Sequence, residues 1–88
     1  MATKTKLPKG YFEVHYATAY KVDEFPIAIN ARMVCYVTSE KVEKDAYRQD
    51  FKVLTRLMVK GHNNAGFHVA ESYEDVLKAI DKALAEID

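Results

Sequence analysis

The chain has 88 residues, with 13 basic and 13 acidic side chains, 49% hydrophobic residues and one cysteine. Such a length predicts one small domain, and the hydrophobic content excludes disorder beyond the first nine residues. A single cysteine excludes an internal disulfide and fits a reducing compartment. Because Cys35 lies in an apolar segment, we expect it to be packed in the fold rather than reactive.

Residues 1–9 contain three lysines and Pro8, but they lack the apolar core of a signal peptide. They predict a flexible basic tail, followed by one domain over residues 10–88. No apolar run reaches the roughly 20 residues that a membrane helix needs. We therefore expect a soluble, cytoplasmic protein that does not associate with a membrane.

Three segments in the first half alternate or are apolar throughout, as strands do. Residues 11–20 alternate without Gly or Pro, which favours a strand. Residues 25–29 alternate again, but Pro26 cannot donate to a ladder and so marks a strand start or an edge. Residues 30–32 indicate a tight connection. Residues 33–38 are apolar on both faces, which is typical of a strand covered on two sides.

Residues 39–50 are almost entirely polar or charged. Val42, Ala46 and Tyr47 give this segment only a faint helical stripe. We predict a long, solvated hairpin loop here, and a helix is the alternative that the sequence leaves open. Loops of this length are uncommon in small domains and are sometimes functional.

The second half predicts a hairpin followed by a helix. Residues 51–60 alternate clearly, residues 61–66 form a turn rich in residues that tolerate positive φ, and residues 67–70 alternate again. Ser72 is then a helix N-cap with Asp75 in the capping-box position. Apolar residues at 73, 76, 77, 80, 84 and 87 draw one stripe over a predicted helix 72–87.

These elements predict an α+β fold. It consists of a small antiparallel sheet or partly open barrel of four to five strands, on which one C-terminal amphipathic helix packs. An open sheet leaves unpaired edges, so a homodimer is also expected.

No local motif carries catalytic, cofactor or metal chemistry. His15, His62, His68 and Cys35 show no zinc-ligand spacing, although His62 and His68 flank the predicted hairpin. A nucleophile with its base, paired carboxylates and a phosphate cradle are also missing as local patterns. We predict no catalytic residue, no cofactor and no metal, and therefore no enzyme. A ligand-binding protein would instead need a concave pocket lined by polar groups from separate strands.

The chain resembles the FlbD-like flagellar motility proteins over residues 25–80. The resemblance is carried by Pro26-Ile27-Ala28-Ile29-Asn30, Val34 and Val37, Thr55-Arg56-Leu57-Met58-Val59 and the run from Val69 to Ile80. It implies a compact β-rich domain that ends in a helix, with no known catalytic residue. The added N-terminal strand and the charged segment after Thr38 depart from the flagellar pattern. These departures favour small phage or mobile-element proteins of the same outline.

Two kinds of partner fit these observations. The chain has six tyrosines and four phenylalanines, more than one small core holds, and Tyr11, Tyr36 and Tyr47 are candidate anchors for a protein partner. We therefore expect a small non-catalytic accessory protein, encoded by a phage or mobile element, that acts by binding another protein.

The alternative is a module that binds single-stranded nucleic acid through a basic and aromatic sheet face. Lys52, Arg56 and Lys60 share one strand face, and Arg32 is expected near them. The simpler explanation is that the long basic stems cover Leu54 while their charges reach water. A balanced net charge and the lack of an RNA-binding motif favour the protein partner.

Overall fold

The computed structural model describes residues 7–45, 47–61 and 66–87. Within these ranges the chain forms five strands, a short 3-10 helix and one α-helix, which confirms the predicted α+β class. In chain order they are β1 (Tyr11–Val14), β2 (Ile27–Asn30), the 3-10 helix (Ala31–Met33), β3 (Val34–Asp45), β4 (Asp50–Val59), β5 (Phe67–Val69) and α1 (Tyr73–Ala85). Residues 1–6 of the predicted tail and His62 lie outside the described residues.

The strands divide into two antiparallel sheets. β1 pairs with β2, and the other sheet has the order β3-β4-β5. The predicted single sheet or partly open barrel of four to five strands is not formed, because no sheet in the described chain exceeds three strands and none closes. Regular pairing of β1 ends at Val14, and an isolated bridge between Tyr16 and Val69 connects the two sheets.

The first strand is shorter than the predicted residues 11–20. After Val14 the chain turns back on itself, and the amide of Asp23 donates to the carbonyl of Tyr16 at 2.8 Å. The Thr18 hydroxyl accepts from the amides of Tyr20 and Lys21, each at 3.2 Å. Such a side-chain bond competes with a strand ladder, which explains why the alternating pattern does not continue as a strand.

The segment predicted as a long loop is instead part of a long hairpin. β3 runs to Asp45 and β4 begins at Asp50, so neither the loop nor the alternative helix is correct for residues 39–50. We call residues 39–45 and 47–54 the arm. Its polar residues pair directly with the next strand, Lys41 with Val53 and Glu43 with Phe51. Residues 39–45 are held in a strand by this ladder rather than by burial, so their sequence carries no apolar face.

Cys35 is exposed, and the prediction that it is packed is wrong. The register of β3 against β4 shifts between Val34 and Tyr36, so that Cys35 sits in a bulge and has no directly opposite residue. A bulge redirects the side chains around it. For the same reason residues 33–38 are not covered on both faces, and Tyr36 is exposed.

The core lies between α1, the inner face of β1 and the second half of β4. Its fully buried side chains include Val14, Leu57, Val69 and Val76, and Phe12, Ala31 and Ala83 complete the cluster. The helix turns Val76 and Ala83 toward this core. Part of the predicted stripe is consequently left outside, since Tyr73, Leu77 and Leu84 are each 41% exposed. The apolar arc of the helix is wider than the surface it covers.

The predicted start of the helix is confirmed. The hydroxyl of Ser72 accepts from the amide of Asp75 at 3.1 Å, and Glu74 and Asp75 occupy the first turn, where carboxylates favour the helix dipole. The predicted hairpin between β4 and β5 is also confirmed. β2 begins directly after Pro26, as the sequence indicated.

Replacing Ser72 by Ala removes this cap. We expect the free energy of unfolding to fall by about 1 kcal/mol, because one amide of the first turn loses its partner. Chemical denaturation of the wild-type chain and the variant measures the difference. Ser39→Ala, at an exposed strand position, serves as the control and should change stability by less than about 0.5 kcal/mol. Equal losses in the two variants would contradict the capping role.

Candidate functional site

Large apolar side chains are exposed at the far end of the arm. Tyr47 is fully exposed in the turn between β3 and β4, and on β4 Phe51 and Val53 are 49% and 61% exposed. Tyr20, in the turn after β1, is 74% exposed. We call these four residues the arm-end surface. Single exposed apolar side chains are ordinary, whereas a group of them in one region marks a candidate interaction site.

Tyr20 belongs to this surface because its side chain reaches the arm. The Tyr20 hydroxyl donates to the backbone carbonyl of Lys44, and Lys44 lies where the register of β3 shifts between Glu43 and Asp45. A shifted register leaves backbone groups without a ladder partner. The hydrogen bond therefore satisfies the carbonyl and holds the ring of Tyr20 beside the arm.

Tyr47 lies in a turn that is stabilised by side-chain contacts of Asp45. The Asp45 carboxylate accepts from the amide of Tyr47 at 3.1 Å and lies 3.6 Å from the guanidinium of Arg48. Gln49 adopts a left-handed conformation with φ of 50°, which closes the turn into β4. An Asp side chain that bonds two residues ahead is a common means of fixing a turn. The backbone under Tyr47 is thus held in place while its ring stays in solvent.

The base of the arm is fixed by a group of three charged or ionisable side chains. A carboxylate only accepts hydrogen bonds, so the Nε2–H of His68 donates to Oε1 of Glu40 at 2.7 Å. The other oxygen of Glu40 lies 3.4 Å from the guanidinium of Arg56. The hydrogen bond from His68 is the main cause that lowers the pKa of Glu40; partial burial opposes it, and Arg56 lowers it further. One residue from each strand of the three-stranded sheet takes part.

A second carboxylate joins the two sheets. Both oxygens of Glu71 accept from His15, one from its amide at 2.9 Å and the other from the ring Nδ1–H at 2.7 Å. The backbone carbonyl of Glu71 accepts from the Thr55 hydroxyl at 2.6 Å. Glu71 therefore connects the turn after β1 to the start of the helix.

The pKa of Glu40 predicts how stability depends on pH. Since this pKa is lower in the folded protein than in the unfolded chain, the ionised carboxylate stabilises the fold above the ordinary value of 4.5, and the contribution is lost as pH falls through the lower folded pKa. We expect the Glu40→Gln variant to lose less stability than the wild-type chain over this acid range. Denaturant unfolding at a series of pH values measures it, with exposed Glu24→Gln as the control. Parallel curves for wild type and Glu40→Gln would contradict the prediction.

The predicted basic stripe is only partly formed. Lys52 and Arg56 share one face of β4, but buried Leu54 lies between them and Arg56 is paired with Glu40. Lys60 lies in the turn after β4 has ended, and its amide donates to the carbonyl of Met33. The structure thus places Lys52 and Arg56 on one face of β4, with Leu54 between them, and Lys60 just beyond the end of the strand.

The other predicted residues are spread over the molecule. Tyr11 is half-buried and lines an open groove of about 740 Å³ between β1 and the end of α1. Arg32 is exposed in the 3-10 helix, and Tyr36 is exposed opposite Met58. Of the three tyrosines proposed as anchors, Tyr47 lies on the arm-end surface. Tyr20, Phe51 and Val53 were missed, because the alternation of residues 51–60 shows which side chains share a face but not which of them are covered.

No family model, curated protein or solved structure matches this chain. The resemblance to the FlbD-like flagellar proteins therefore stays a prediction. Within the described ranges, no group of three or more His, Cys, Asp or Glu side chains is placed to hold a metal ion. None of the helical structure described has the length and apolar character that crossing a membrane requires.

Proposed function

We propose that this protein is a small non-catalytic module that binds a protein partner through the arm-end surface. The observation that carries the proposal is the exposure of Tyr20, Tyr47, Phe51 and Val53 at one end of the fold. Aromatic residues are enriched in the cores of protein interfaces, where they bury a large area at a small entropic cost.

The surroundings of these residues also suit an interface. Exposed charges of both signs, among them Lys41, Glu43 and Arg48, lie on the same arm and would form a polar rim around the apolar residues. The turn that carries Tyr47 is held by the Asp45 carboxylate, so little backbone ordering is needed on binding. A tyrosine in this position offers a large contact area to another protein.

The ionisable residues of the fold support a non-catalytic role. Glu40 and Glu71 each hold a histidine from a different strand or turn, and both pairs connect parts of the backbone that are far apart in sequence. Such pairs stabilise a fold without needing a substrate.

A quantitative pull-down from the native cell tests the proposal. Tyr47→Ala and Phe51→Ala should each reduce recovery of the partner by about tenfold or more, since central aromatic residues contribute most to binding. Arg32→Ala is the matched control, because Arg32 is exposed at the opposite end of β3. Recovery that is unchanged in Tyr47→Ala, or lost equally in Arg32→Ala, would contradict the proposal.

Binding of single-stranded nucleic acid is the rival function, and Lys52 with Arg56 on one face of β4 is the observation in its favour. It predicts that the chain binds a labelled oligonucleotide at about 50 mM salt, with affinity that falls steeply as salt rises. Lys52→Ala should weaken that binding. Fluorescence anisotropy without any rise at this salt concentration would remove the rival function.

A further inference from the structure

The outer edge of β3 is open. β3 is a twelve-residue edge strand that pairs with β4 on one side. Along its other side, the described residues supply no backbone hydrogen-bond partner from Cys35 onward, and the Tyr20 hydroxyl on the Lys44 carbonyl is the one side-chain contact to its backbone there. Such an edge is a template on which another strand pairs.

Charges of alternating sign lie along this edge. Residues 40–44 read Glu-Lys-Val-Glu-Lys. Residues at equal distances before and after Val42 therefore carry opposite charges: Lys41 and Glu43 are one such pair, and Glu40 and Lys44 are the other. Lys41 and Glu43 are exposed and form no ion pair within the described part of the chain. Across the hairpin they face Val53 and Phe51 rather than charges. Their electrostatic partners must therefore come from solvent or from another molecule.

We propose that β3 pairs antiparallel with β3 of a second copy of this chain, with Val42 opposite Val42 of the second copy. In this register Lys41 lies opposite Glu43 of the second copy, and Glu43 lies opposite its Lys41. Directly opposite residues of an antiparallel pair share one face and are close enough for opposite charges to attract. The two three-stranded sheets then form one sheet of six strands with a two-fold axis through Val42.

The charges select this register over its neighbours. A slip of one residue in one direction places Glu40 opposite Glu43, and a slip in the other direction places Lys41 opposite Lys44. Parallel pairing in register places every charge opposite its own copy. Like charges directly opposite are unfavourable, so these arrangements are disfavoured.

The same residues explain how the exposed edge avoids pairing with unrelated strands. Lysines on an edge strand normally prevent pairing with unrelated strands, because burying or crowding them is unfavourable. Here each lysine of the central pairs meets a glutamate when the second strand is an identical copy. The edge thus disfavours pairing with most other strands and favours pairing with β3 of a second copy.

The exposed apolar residues of the arm also gain cover. In the six-stranded sheet, Phe51 and Glu43 of one chain are neighbours on one face. Lys41 and Val53 of the second copy continue the same row across the interface. A lysine stem packs well along apolar surface while its charge stays in water. Partial cover of Phe51 and Val53 therefore accompanies formation of the two ion pairs. Tyr47 stays in the turn beyond the paired segment.

Sedimentation equilibrium of four chains tests the proposal. The wild-type chain should form a dimer of twice the 10.0 kDa monomer mass. Lys41→Glu and Glu43→Lys should each weaken self-association by about tenfold or more, because two attractive contacts become two repulsive ones. The double variant Lys41→Glu with Glu43→Lys restores opposite charges and should dimerise like the wild type. Circular dichroism of each chain verifies that it is folded.

Mixing the two single variants is the most discriminating part of the experiment. One chain then carries only glutamates at positions 41 and 43 and the other only lysines, so both contacts across the axis become attractive. Neither chain should dimerise well alone, and the mixture should form a heterodimer. Lys78→Glu, a charge reversal on exposed helix surface, is the matched control and should leave dimerisation unchanged.

A wild-type chain that stays monomeric at high concentration overturns the proposal. Single variants that dimerise as well as wild type, or a mixture that does not associate, also overturn it. Because Lys41 and Glu43 also lie in the proposed polar rim, the proposed function is tested separately with Tyr47→Ala, which lies beyond the paired segment and should dimerise like the wild type while losing the partner.

Discussion

The Leu57→Ala variant should lose about 2–5 kcal/mol of its free energy of unfolding, the range for a leucine deleted from a core. Leu57 is fully buried and is the largest of the completely enclosed side chains. It lies on the central strand of the three-stranded sheet, opposite Val37 on β3 and Phe67 on β5. Removing it leaves a cavity at the point where both hairpins and the helix meet. The total free energy of unfolding of a small domain is only about 5–15 kcal/mol, so this loss is a large part of it.

Thermal and denaturant unfolding measure this loss. For a domain of this size each kcal/mol lowers the melting temperature by roughly 4–8 °C. Val53→Ala is the control, since Val53 lies on the same strand and the same face but is exposed. It should change stability by less than about 0.5 kcal/mol. A similar loss in both variants would show that the core does not end where the structure places it.

Gly66→Ala is expected to lose about 2–4 kcal/mol for two separate reasons. Gly66 has a φ of 71°, which costs an L-residue energy that glycine avoids. A Cβ at this position would also lie 2.9 Å from the backbone carbonyl oxygen of Leu57, which cannot move without disturbing β4. The substitution should therefore displace the start of β5 from the hairpin.

Gly61 separates the two reasons. It has a φ of 87°, but a Cβ there would meet no atom within 4 Å. Gly61→Ala should thus lose only about 1–2 kcal/mol, the conformational part alone. The difference between the two variants measures the close approach of Gly66 to Leu57. If both lose the same amount, no such approach exists in solution.

Local signals in the sequence were sufficient for the C-terminal part of the fold. The cap at Ser72 and the glycines that flank the turn before β5 act within a few residues, so their effect is visible in sequence. The arm was missed for a different reason. Residues 39–45 form a strand because β4 pairs with them across the adjacent turn, and polar residues held by a ladder rather than by burial show no apolar periodicity.

The same limit applies to the candidate site. Phe51, Val53, Thr55 and Leu57 share one face of β4, and their alternation predicted the strand without showing which of them are buried. The structure buries only Thr55 and Leu57 of these four, because the core formed with β1 and α1 lies against the second half of β4 and does not extend to the arm. A sequence pattern shows which face is apolar but not where the covering layer ends. The exposure of Phe51 and Val53 was therefore not predictable.

The pairing of His68 with Glu40, and of His15 with Glu71, was equally hidden. Each pair joins residues separated by 28 or 56 positions. No spacing rule reaches that far, and two of the histidines considered for metal binding, His15 and His68, hold carboxylates instead.

The most direct test of the proposed function is photo-crosslinking from position 47 in the native cell. A photoreactive phenylalanine analogue replaces Tyr47 in one chain and Arg32 in a second, about 40 Å apart along β3. We expect one protein to be crosslinked from position 47 and not from position 32, with the yield lost when Phe51→Ala is added. Equal crosslinking from both positions, or none from position 47, would contradict a partner-binding role for the arm-end surface.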